Sequence, residues 1–199
     1  MVARKHPENR WTAPYAGVCW LTALSVDDLE LVFGWRSSEA IQASMFTLGP
    51  ITFAEHVEWF RRISSRPTQC HLVYGCGDES LGVVSFKAID DVQRTCEWGL
   101  YLGNPIRSKG HGGRMGTLSL DFAFSHIAID TVRAQALESN NASIGYHAAM
   151  GFHETGSVMK ARPGGRAEIS LRTFEMTRAQ WDGIREGLIR RYFGAGSAS

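Results

Sequence analysis

The stretch GLYLGNPIRSKGHGGRMG, residues 99–116, decides the fold of this 199-residue chain. An alternating apolar segment enters a basic, glycine-rich loop, and the residues after the loop have the apolar spacing of a helix. Glycines at 110, 112 and 113 allow backbone amides at a helix N-terminus to approach an anion closely. The segment therefore predicts a strand, a loop and a helix that together bind a phosphate-containing ligand.

Two familiar phosphate-binding motifs do not fit this loop. A Walker loop read from Gly103 has Ser108 where its second glycine belongs and Gly110 where its magnesium-binding hydroxyl belongs. A dinucleotide fingerprint read from Gly110 has Met115 in place of its third glycine or alanine. The loop therefore favours neither ATP nor NAD.

The composition indicates one packed domain without a nucleic-acid or membrane partner. The chain carries 21 basic and 20 acidic residues, a formal net charge of +1, whereas proteins that hold nucleic acid through phosphates need a basic excess. No apolar run approaches the roughly 18 residues of a membrane span. The cysteines show neither a CxxC pair nor zinc-finger spacing, which predicts no metal and a reducing, cytoplasmic location. They are Cys19, Cys70, Cys76 and Cys96.

Capping boxes and apolar periodicity predict the order β α α β β β α β α β β α. Ser25 with Asp28 and Thr52 with Glu55 open the first two helices, and residues 112–128 form a long helix. Strands are expected at 16–24, 70–75, 81–87, 95–102, 131–137, 152–160 and 167–176. We expect an α/β (α+β) fold with a flexible segment 1–12, a single domain 13–193 that includes a C-terminal helix 177–193, and a flexible tail 194–199.

Two spaced motifs resemble the GNAT N-acetyltransferase superfamily. The first is R-x-x-G-x-G, read as Arg107, Gly110 and Gly112 between a predicted strand and helix. The second begins at Asn140 and ends at Gly151 and Phe152, and it is similar to the family's N-x-x-A-x-x-L-Y-x-K-x-G-F segment. The resemblance covers roughly residues 15–176. It implies a mixed sheet of about seven strands with a splayed central parallel pair, and direct acetyl transfer from acetyl-CoA to a primary amine.

The same resemblance implies where acetyl-CoA binds. The pantetheine arm is expected along the strand before the loop and beside Asn140, and the pyrophosphate on the loop. His147 stands seven residues after Asn140, where the family has the Tyr that protonates the leaving thiolate. We expect His147 to take that role, or to be an exposed helix residue with Tyr146 or water acting instead. The expected cofactor-binding residues are Leu100, Tyr101, Leu102, Arg107, Ser108, Lys109, Gly110, His111, Gly112, Gly113, Asn140 and His147.

The residue that accepts the amine proton is left open by the sequence. The family often carries a Glu on the strand before Asn140, but this chain has Gln135 there. Glu97, Glu138 and His56 are the remaining candidates, and a water chain is an equal alternative. Strand alternation places Glu97 and Tyr101 on one face and Trp98 on the other, without showing which face meets the substrate.

The N-terminal half resembles a particular branch of the superfamily, the enzymes that acetylate UDP-4-amino-4,6-dideoxy sugars. The matching segments are GWRSS at 34–38, IQASMF at 41–46, I-x-x-x-EH-x-x-WF at 51–60 and GVVSF at 82–86. This branch is related to the RimJ/RimL type, which acetylates protein amino termini. The chain departs from the branch at Ser37 and Gln42, where Asn and Arg are usual. The resemblance implies a substrate groove lined by Trp35, Arg36, Met45, His56, Trp59 and Phe86.

Three functions follow as alternatives. A nucleotide-linked amino sugar requires a basic pocket near Arg36. The alternative acceptor is a protein amino terminus or another small amine, and a peptide requires an open groove with acidic walls. A non-catalytic acyl-CoA-binding module would bind coenzyme A without turnover.

The apolar face of the C-terminal helix could close the domain's own core or a homodimer contact. That face consists of Trp181, Ile184, Leu188 and Tyr192.

Overall fold

The computed structural model describes residues 10–46, 50–103, 110–161 and 168–194. Within these ranges seven strands form one sheet: β1 (Cys19–Ala23), β2 (Cys70–Cys76), β3 (Glu79–Asp90), β4 (Thr95–Leu102), β5 (Thr131–Leu137), β6 (His153–Ala161) and β7 (Glu168–Thr177). Their order across the sheet is β1-β2-β3-β4-β5-β7-β6. Neighbouring strands are antiparallel, except that β4 and β5 are parallel. The predicted mixed sheet of about seven strands is confirmed.

The helices begin where local capping signals place them. In the described chain they are α1 (Leu29–Arg36), α2 (Glu39–Gln42), α3 (Phe53–Ser64), α4 (His111–Asp121), α5 (Asn141–Ala149) and α6 (Arg178–Phe193). Thr52 caps α3 by accepting from the Glu55 amide at 3.2 Å, and the Glu55 carboxylate accepts from the Thr52 amide at 2.7 Å. Thr177 and Gln180 cap α6 in the same way. These reciprocal bonds satisfy amides that the first helical turn leaves without partners.

Strand alternation divides the core into two layers. On one face of the sheet, Val73 and Val83 pack with Trp20, Val32 and Ile63, beneath α1 and α3. The other face carries the larger cluster, beneath α4, α5 and α6. Its members include Leu72, Val84, Trp98, Met115, Phe152 and Trp181. We call the two sides the α1–α3 face and the α4 face.

The parallel pair at the centre of the sheet separates partway along its length. Residues of β4 and β5 pair only from Thr95/Thr131 to Trp98/Ala134. Beyond this point β4 continues along β3 as far as Leu102, and β5 continues along β7. A wedge therefore opens between the C-terminal ends of β4 and β5, as the family resemblance predicts.

Several predicted boundaries need correction. The first strand begins at Cys19 and not at 16, because the Cys19 amide donates to the Ala16 carbonyl in a turn. Trp11 exchanges two backbone hydrogen bonds with Leu21, so the predicted flexible segment 1–12 does not extend to Trp11. The long helix is α-helical only to Asp121 and continues as a wider π-helical segment, Phe122–Ile127. The short helix α2 lacked a separate prediction.

The C-terminal helix belongs to the domain's own core. Trp181 and Leu188 are buried against the α4 face, and the Arg185 guanidinium binds the Asp121 carboxylate on α4 at 2.6 Å. The Arg114 Nε donates to the Tyr192 carbonyl at 2.9 Å. The apolar face of α6 therefore closes this domain, and the homodimer stays a prediction.

Across the described residues, none of the helices combines the length and the apolar character that crossing a membrane would require.

Candidate active site

The wedge between β4 and β5 supplies backbone groups for a ligand. Residues 99–102 of β4 pair with β3 on one edge, while their other edge faces the wedge without a strand partner in the described chain. Each such edge presents amide and carbonyl groups that need hydrogen bonds. Pantetheine carries amides along an extended arm, so it fits this edge as a substitute strand. Leu100, Tyr101 and Leu102 lie on this open edge of β4, and their contact with pantetheine stays a prediction.

The N-terminus of α4 forms one end of the wedge. Gly110 has φ +82°, in the left-handed region, and directs the chain into α4, whose first turn contains no acidic residue. The amides of this turn and the helix dipole favour an anion such as a phosphate. His111, Gly112 and Gly113 lie in the turn. The predicted ligands Arg107, Ser108 and Lys109 lie outside the described residues.

Not every glycine of the loop is explained by a ligand. A Cβ on Gly113 would overlap the Tyr192 ring, and a Cβ on Gly116 would overlap the Tyr146 hydroxyl. These two glycines let α6 and α5 approach α4 closely. A Cβ on Gly112 would meet only ordinary van der Waals contacts. Helix packing therefore already accounts for Gly113, and its approach to a ligand stays a prediction.

Helix α5 presents Tyr146 to α4 and buries His147. Asn140 caps this helix by accepting from the Ser143 amide at 3.0 Å, which is a structural role beside any role in binding pantetheine. The Tyr146 hydroxyl donates to the Gly112 carbonyl at 2.9 Å. Burial raises the pKa of Tyr146, so the phenol stays protonated near neutral pH.

His147 lies in the aromatic core and not in the wedge. The residue is 6% exposed, and its ring stacks on Phe174 with 4.7 Å between the ring centres. Trp98 and Phe152 pack edge-on against the same ring. The Nδ1–H donates to the Ser143 carbonyl at 2.7 Å. Burial lowers the pKa of His147, which favours the neutral ring. A ring enclosed in this way is badly placed to protonate a thiolate, which corrects the prediction made for His147.

On the α1–α3 face, Glu97 lies at the mouth of the wedge. It belongs to one of the last residue pairs before β4 and β5 separate, and Lys87 of β3 stands directly opposite. Burial and the Arg36 charge lower the pKa of Lys87, while the Glu97 charge raises it, so these three charges lie close together. Strand alternation places Glu97 and Tyr101 on the α1–α3 face, and whether this face meets the substrate stays a prediction.

Four basic side chains form what we call the basic cluster: Arg36, His56, His71 and Lys87. The Arg36 charge lowers the pKa of both His56 and Lys87, after the larger effect of burial. Within the described chain, the buried Arg36 Nη1 and His56 Nε2 have no hydrogen-bond partner. An unpaired buried polar atom is costly, so these two atoms have hydrogen-bonding capacity that a polar ligand would satisfy.

His71, Ser85 and Lys87 are residues that the sequence analysis missed. The His71 Nδ1 lies 2.9 Å from the Ser85 hydroxyl, and its Nε2 lies 3.3 Å from the Gln69 amide oxygen. Burial, with help from the Lys87 charge, lowers the pKa of His71 to about 4, so the ring is neutral at pH 7. The polar side chains of His71, Ser85 and Lys87 within otherwise apolar strands were a signal of a site. That they lie side by side follows only from the pairing register of β2 and β3.

The remaining predicted substrate residues divide between the two faces. Trp59 stacks on His56 at 5.1 Å and meets His71 edge-on at 5.4 Å, so it lies beside the basic cluster. Met45 packs against the same layer, and the Trp35 ring covers Gly103 at the end of β4. Phe86 is fully buried on the α4 face, where it stacks on Phe122 at 5.9 Å. Its prediction as a groove residue is wrong, because alternation turns Phe86 away from Ser85 and Lys87.

Glu138 lies apart from the basic cluster. It follows β5, is exposed, and its amide donates to the Ser170 carbonyl at 3.0 Å on the β7 side of the sheet. A shallow cavity of about 380 Å³ lies beside it, lined in part by Ile169 and Ser170. Of the two predicted carboxylates, Glu97 is therefore the one that the structure brings to the α1–α3 face.

Sequence comparison assigns this arrangement to a family. Residues 19–153 match the family described as acetyltransferase (GNAT) domain, so the chain belongs to that family and is an N-acetyltransferase enzyme. Acetyltransferase PseH of Campylobacter jejuni subsp. jejuni serotype O:23/36 (strain 81-176) is 24% identical over 123 residues. The match covers 62% of this chain and 75% of PseH.

Solved structures share the fold. A spermidine N-acetyltransferase from Vibrio cholerae in complex with CoA and spermine has a TM-score of 0.74 and 16% identity, and the match covers 82% of this chain and 98% of that one. A second protein, provisionally named an acetyltransferase, has a TM-score of 0.77 and 19% identity over 96% of this chain and 97% of its own. At these identities the similarity establishes the shared fold.

Proposed function

We propose that this chain transfers the acetyl group of acetyl-CoA to the amino group of a nucleotide-linked amino sugar. The observation that carries the proposal is the basic cluster, above all the buried Arg36 guanidinium nitrogen that has no hydrogen-bond partner among the described residues. A diphosphate would accept hydrogen bonds from Arg36 and Lys87, and guanidinium geometry suits phosphate oxygens well. The resemblance of residues 34–60 and 82–86 to the sugar-specific branch supports the same acceptor.

The charges of the cluster disfavour a polyamine. Spermine is the ligand named for the Vibrio structure, and it carries several positive charges. Near Arg36 and Lys87 each like-charge pair at about 4 Å would cost roughly 1 kcal/mol in water and about 4 kcal/mol near a protein surface. Glu97 is the acid whose charge acts on Lys87 here. A single carboxylate does not match a polycation, whereas an anionic nucleotide sugar matches both cations.

The proposed roles follow from position. Bound acetyl-CoA supplies the activated acetyl group, and its arm lies along residues 99–102 of the wedge. Glu97 accepts the proton of the attacking amine, because it lies on the acceptor side where the wedge opens. Tyr146 replaces His147 as the proton donor to the leaving thiolate, since its hydroxyl lies at the first turn of α4 beside the wedge. Arg36 and Lys87 hold the diphosphate, and Trp59 offers an aromatic face to the base.

The acceptor is tested with purified protein and acetyl-CoA, by measuring free-thiol release. A UDP-4-amino-4,6-dideoxy sugar should give the highest kcat/KM, above spermidine and above a short peptide with a free amino terminus. Arg36→Gln should raise KM for the sugar at least tenfold and leave KM for acetyl-CoA unchanged. Arg61→Gln is the matched control, because Arg61 is an exposed α3 residue that pairs with the exposed Glu58 at 3.7 Å. Faster turnover of spermidine or of the peptide would overturn the sugar assignment.

The proton acceptor is tested separately with Glu97→Gln. This change keeps the shape of the side chain and should lower kcat about 100-fold, the lower end of general-base effects, with little change in KM. Glu58→Gln on the exposed side of α3 serves as control. A Glu97→Gln kcat within threefold of the unchanged protein would assign the proton to water. Binding of acetyl-CoA without turnover of any amine would instead support the non-catalytic module.

A cytoplasmic location and the lack of a nucleic-acid partner stay predictions, which neither the sheet nor the basic cluster tests.

A further inference from the structure

Three metal-binding side chains meet at the α4 face, away from the basic cluster. They are Cys19 of β1, Cys76 at the end of β2, and His111, the first residue of α4. Their ligand atoms all lie within 4.8 Å of one another. Two sulfurs and one imidazole nitrogen form the donor set that zinc prefers, so we call these residues the thiol–imidazole cluster.

The sheet register explains why two distant cysteines meet. Cys19 and Cys76 stand directly opposite each other in the antiparallel β1–β2 pair. The Cys19 amide donates to Ala16 and not to β2, so this is a non-hydrogen-bonded pair, in which opposite side chains approach most closely. The cysteines are 57 residues apart, which is why spacing in the sequence predicted no metal. His111 is added by the start of α4.

The surroundings of the cluster suit a ligated ion. The Tyr74 hydroxyl lies 2.8 Å from the His111 Nδ1 and 3.5 Å from the Cys19 Sγ. In the tautomer with Nδ1 protonated, this bond orients the ring and leaves Nε2 with a lone pair, as the outer partners of zinc-bound histidines do.

We propose that the thiol–imidazole cluster binds one soft divalent cation of the zinc type. A tetrahedral ion with zinc bond lengths needs donor atoms roughly 3.6–3.8 Å apart, so the three donors must move together by about 1 Å, which side-chain rotation allows. Both thiols lose their protons to solvent on binding, and two thiolates neutralise the divalent charge. Water takes the fourth position.

The consequence of binding is mechanical. His111 begins the helix whose first-turn amides form the phosphate end of the wedge. An ion bound to His111, Cys19 and Cys76 would fasten this turn to the β1–β2 edge of the sheet. We therefore expect the metal to raise the thermal midpoint by several degrees and to tighten acetyl-CoA binding. Metal binding at this cluster is independent of which amine is acetylated.

The test is a titration of the full chain with Co²⁺ under reducing conditions. We expect one ion per chain, with the near-ultraviolet charge-transfer band of thiolate–cobalt bonds, and its displacement by Zn²⁺. Cys76→Ser should remove the band and weaken binding at least 100-fold. Cys70→Ser is the matched control, because Cys70 is also on β2 and partly buried but lies outside the cluster. It should keep both the band and the affinity.

Two results would overturn the proposal. One is equal Co²⁺ affinity in Cys76→Ser and Cys70→Ser, which would show that any binding occurs elsewhere. The other is the absence of the charge-transfer band in the unchanged protein, together with formation of a Cys19–Cys76 disulfide after peroxide treatment. Mass spectrometry detects that disulfide as a loss of two hydrogens. That second result would assign the pair to a disulfide. The thermal midpoint with and without Zn²⁺ detects variants that fail to fold.

Discussion

Replacing His147 tests whether this side chain supports the core or the chemistry. His147→Ala removes a ring that stacks on Phe174 at 4.7 Å and is 6% exposed. Removing a buried aromatic ring costs about 3–5 kcal/mol for Phe, so a smaller imidazole should cost about 2–4 kcal/mol. The hydrogen bond to the Ser143 carbonyl adds about 1 kcal/mol. The alanine variant should therefore lose about 3–5 kcal/mol of stability.

His147→Phe separates the two roles. It keeps an aromatic ring against Phe174 but removes the hydrogen bond and adds volume, which together should cost about 1–3 kcal/mol. Since 1 kcal/mol shifts the midpoint of a chain of this size by about 2–4 °C, thermal unfolding resolves both variants. Urea unfolding at 25 °C gives the free energies directly.

The same variants are then assayed for free-thiol release at 25 °C. If His147 belongs to the core, the phenylalanine variant keeps kcat within about threefold, while Tyr146→Phe lowers it. A proton donor contributes about 100-fold or more to the rate. A 100-fold loss of kcat in His147→Phe with an unchanged unfolding free energy would refute the argument and return the donor role to His147.

Two further predictions concern stability. Lowering the pH from 7 to 5 should destabilise the fold, because burial holds the pKa of His71 at about 4. Below pH 6.5 the unfolded chain binds a proton at His71 that the folded chain does not bind. The folded state should therefore lose up to about 2 kcal/mol of stability at pH 5. Urea unfolding across this range should show a shallower pH dependence for His71→Gln, and an identical slope would contradict the assignment. Gly113→Val should cost about 1–3 kcal/mol because its side chain meets the Tyr192 ring, whereas Gly183→Ala, which has open space around its Cβ, should add about 0.5–1 kcal/mol. Thermal unfolding compares the two, and equal effects would show that α6 does not pack against Gly113 as described.

Local signals predicted the elements well, because they depend on neighbours in the sequence. The box formed by Thr52 and Glu55 involves residues three apart, and both of its hydrogen bonds are present. Gly110 was identified from the loop, and its left-handed φ follows from that turn. The sequence did not predict the change from α-helix to π-helical segment after Asp121, since the apolar pattern continues through both.

Errors at the site arose where a result depends on register or rotation. Tyr146 and His147 are adjacent, and a helix turns about 100° between them, so one faces α4 and the other enters the core. Phe86 was assigned to the wrong face because alternation alone does not identify which set of β3 residues meets the substrate. His71 and Lys87 were missed for the related reason that β2 and β3 come together only in the folded sheet. The cofactor strand was easier, because it adjoins the loop in sequence.

The separation of β4 from β5 also has a consequence for cooperativity. The four-stranded part, β1 to β4, is joined to the three-stranded part, β5 to β7, by only four residue pairs of the sheet. A ligand in the wedge supplies hydrogen bonds that bridge the two parts, so it should couple their opening. Amide hydrogen exchange should then slow most at residues 99–102 and 135–137 when acetyl-CoA binds. The opening free energies of the two parts should also become more alike, because the parts then open together. Bound acetyl-CoA would thus take the place of an eighth strand, inserted between β4 and β5.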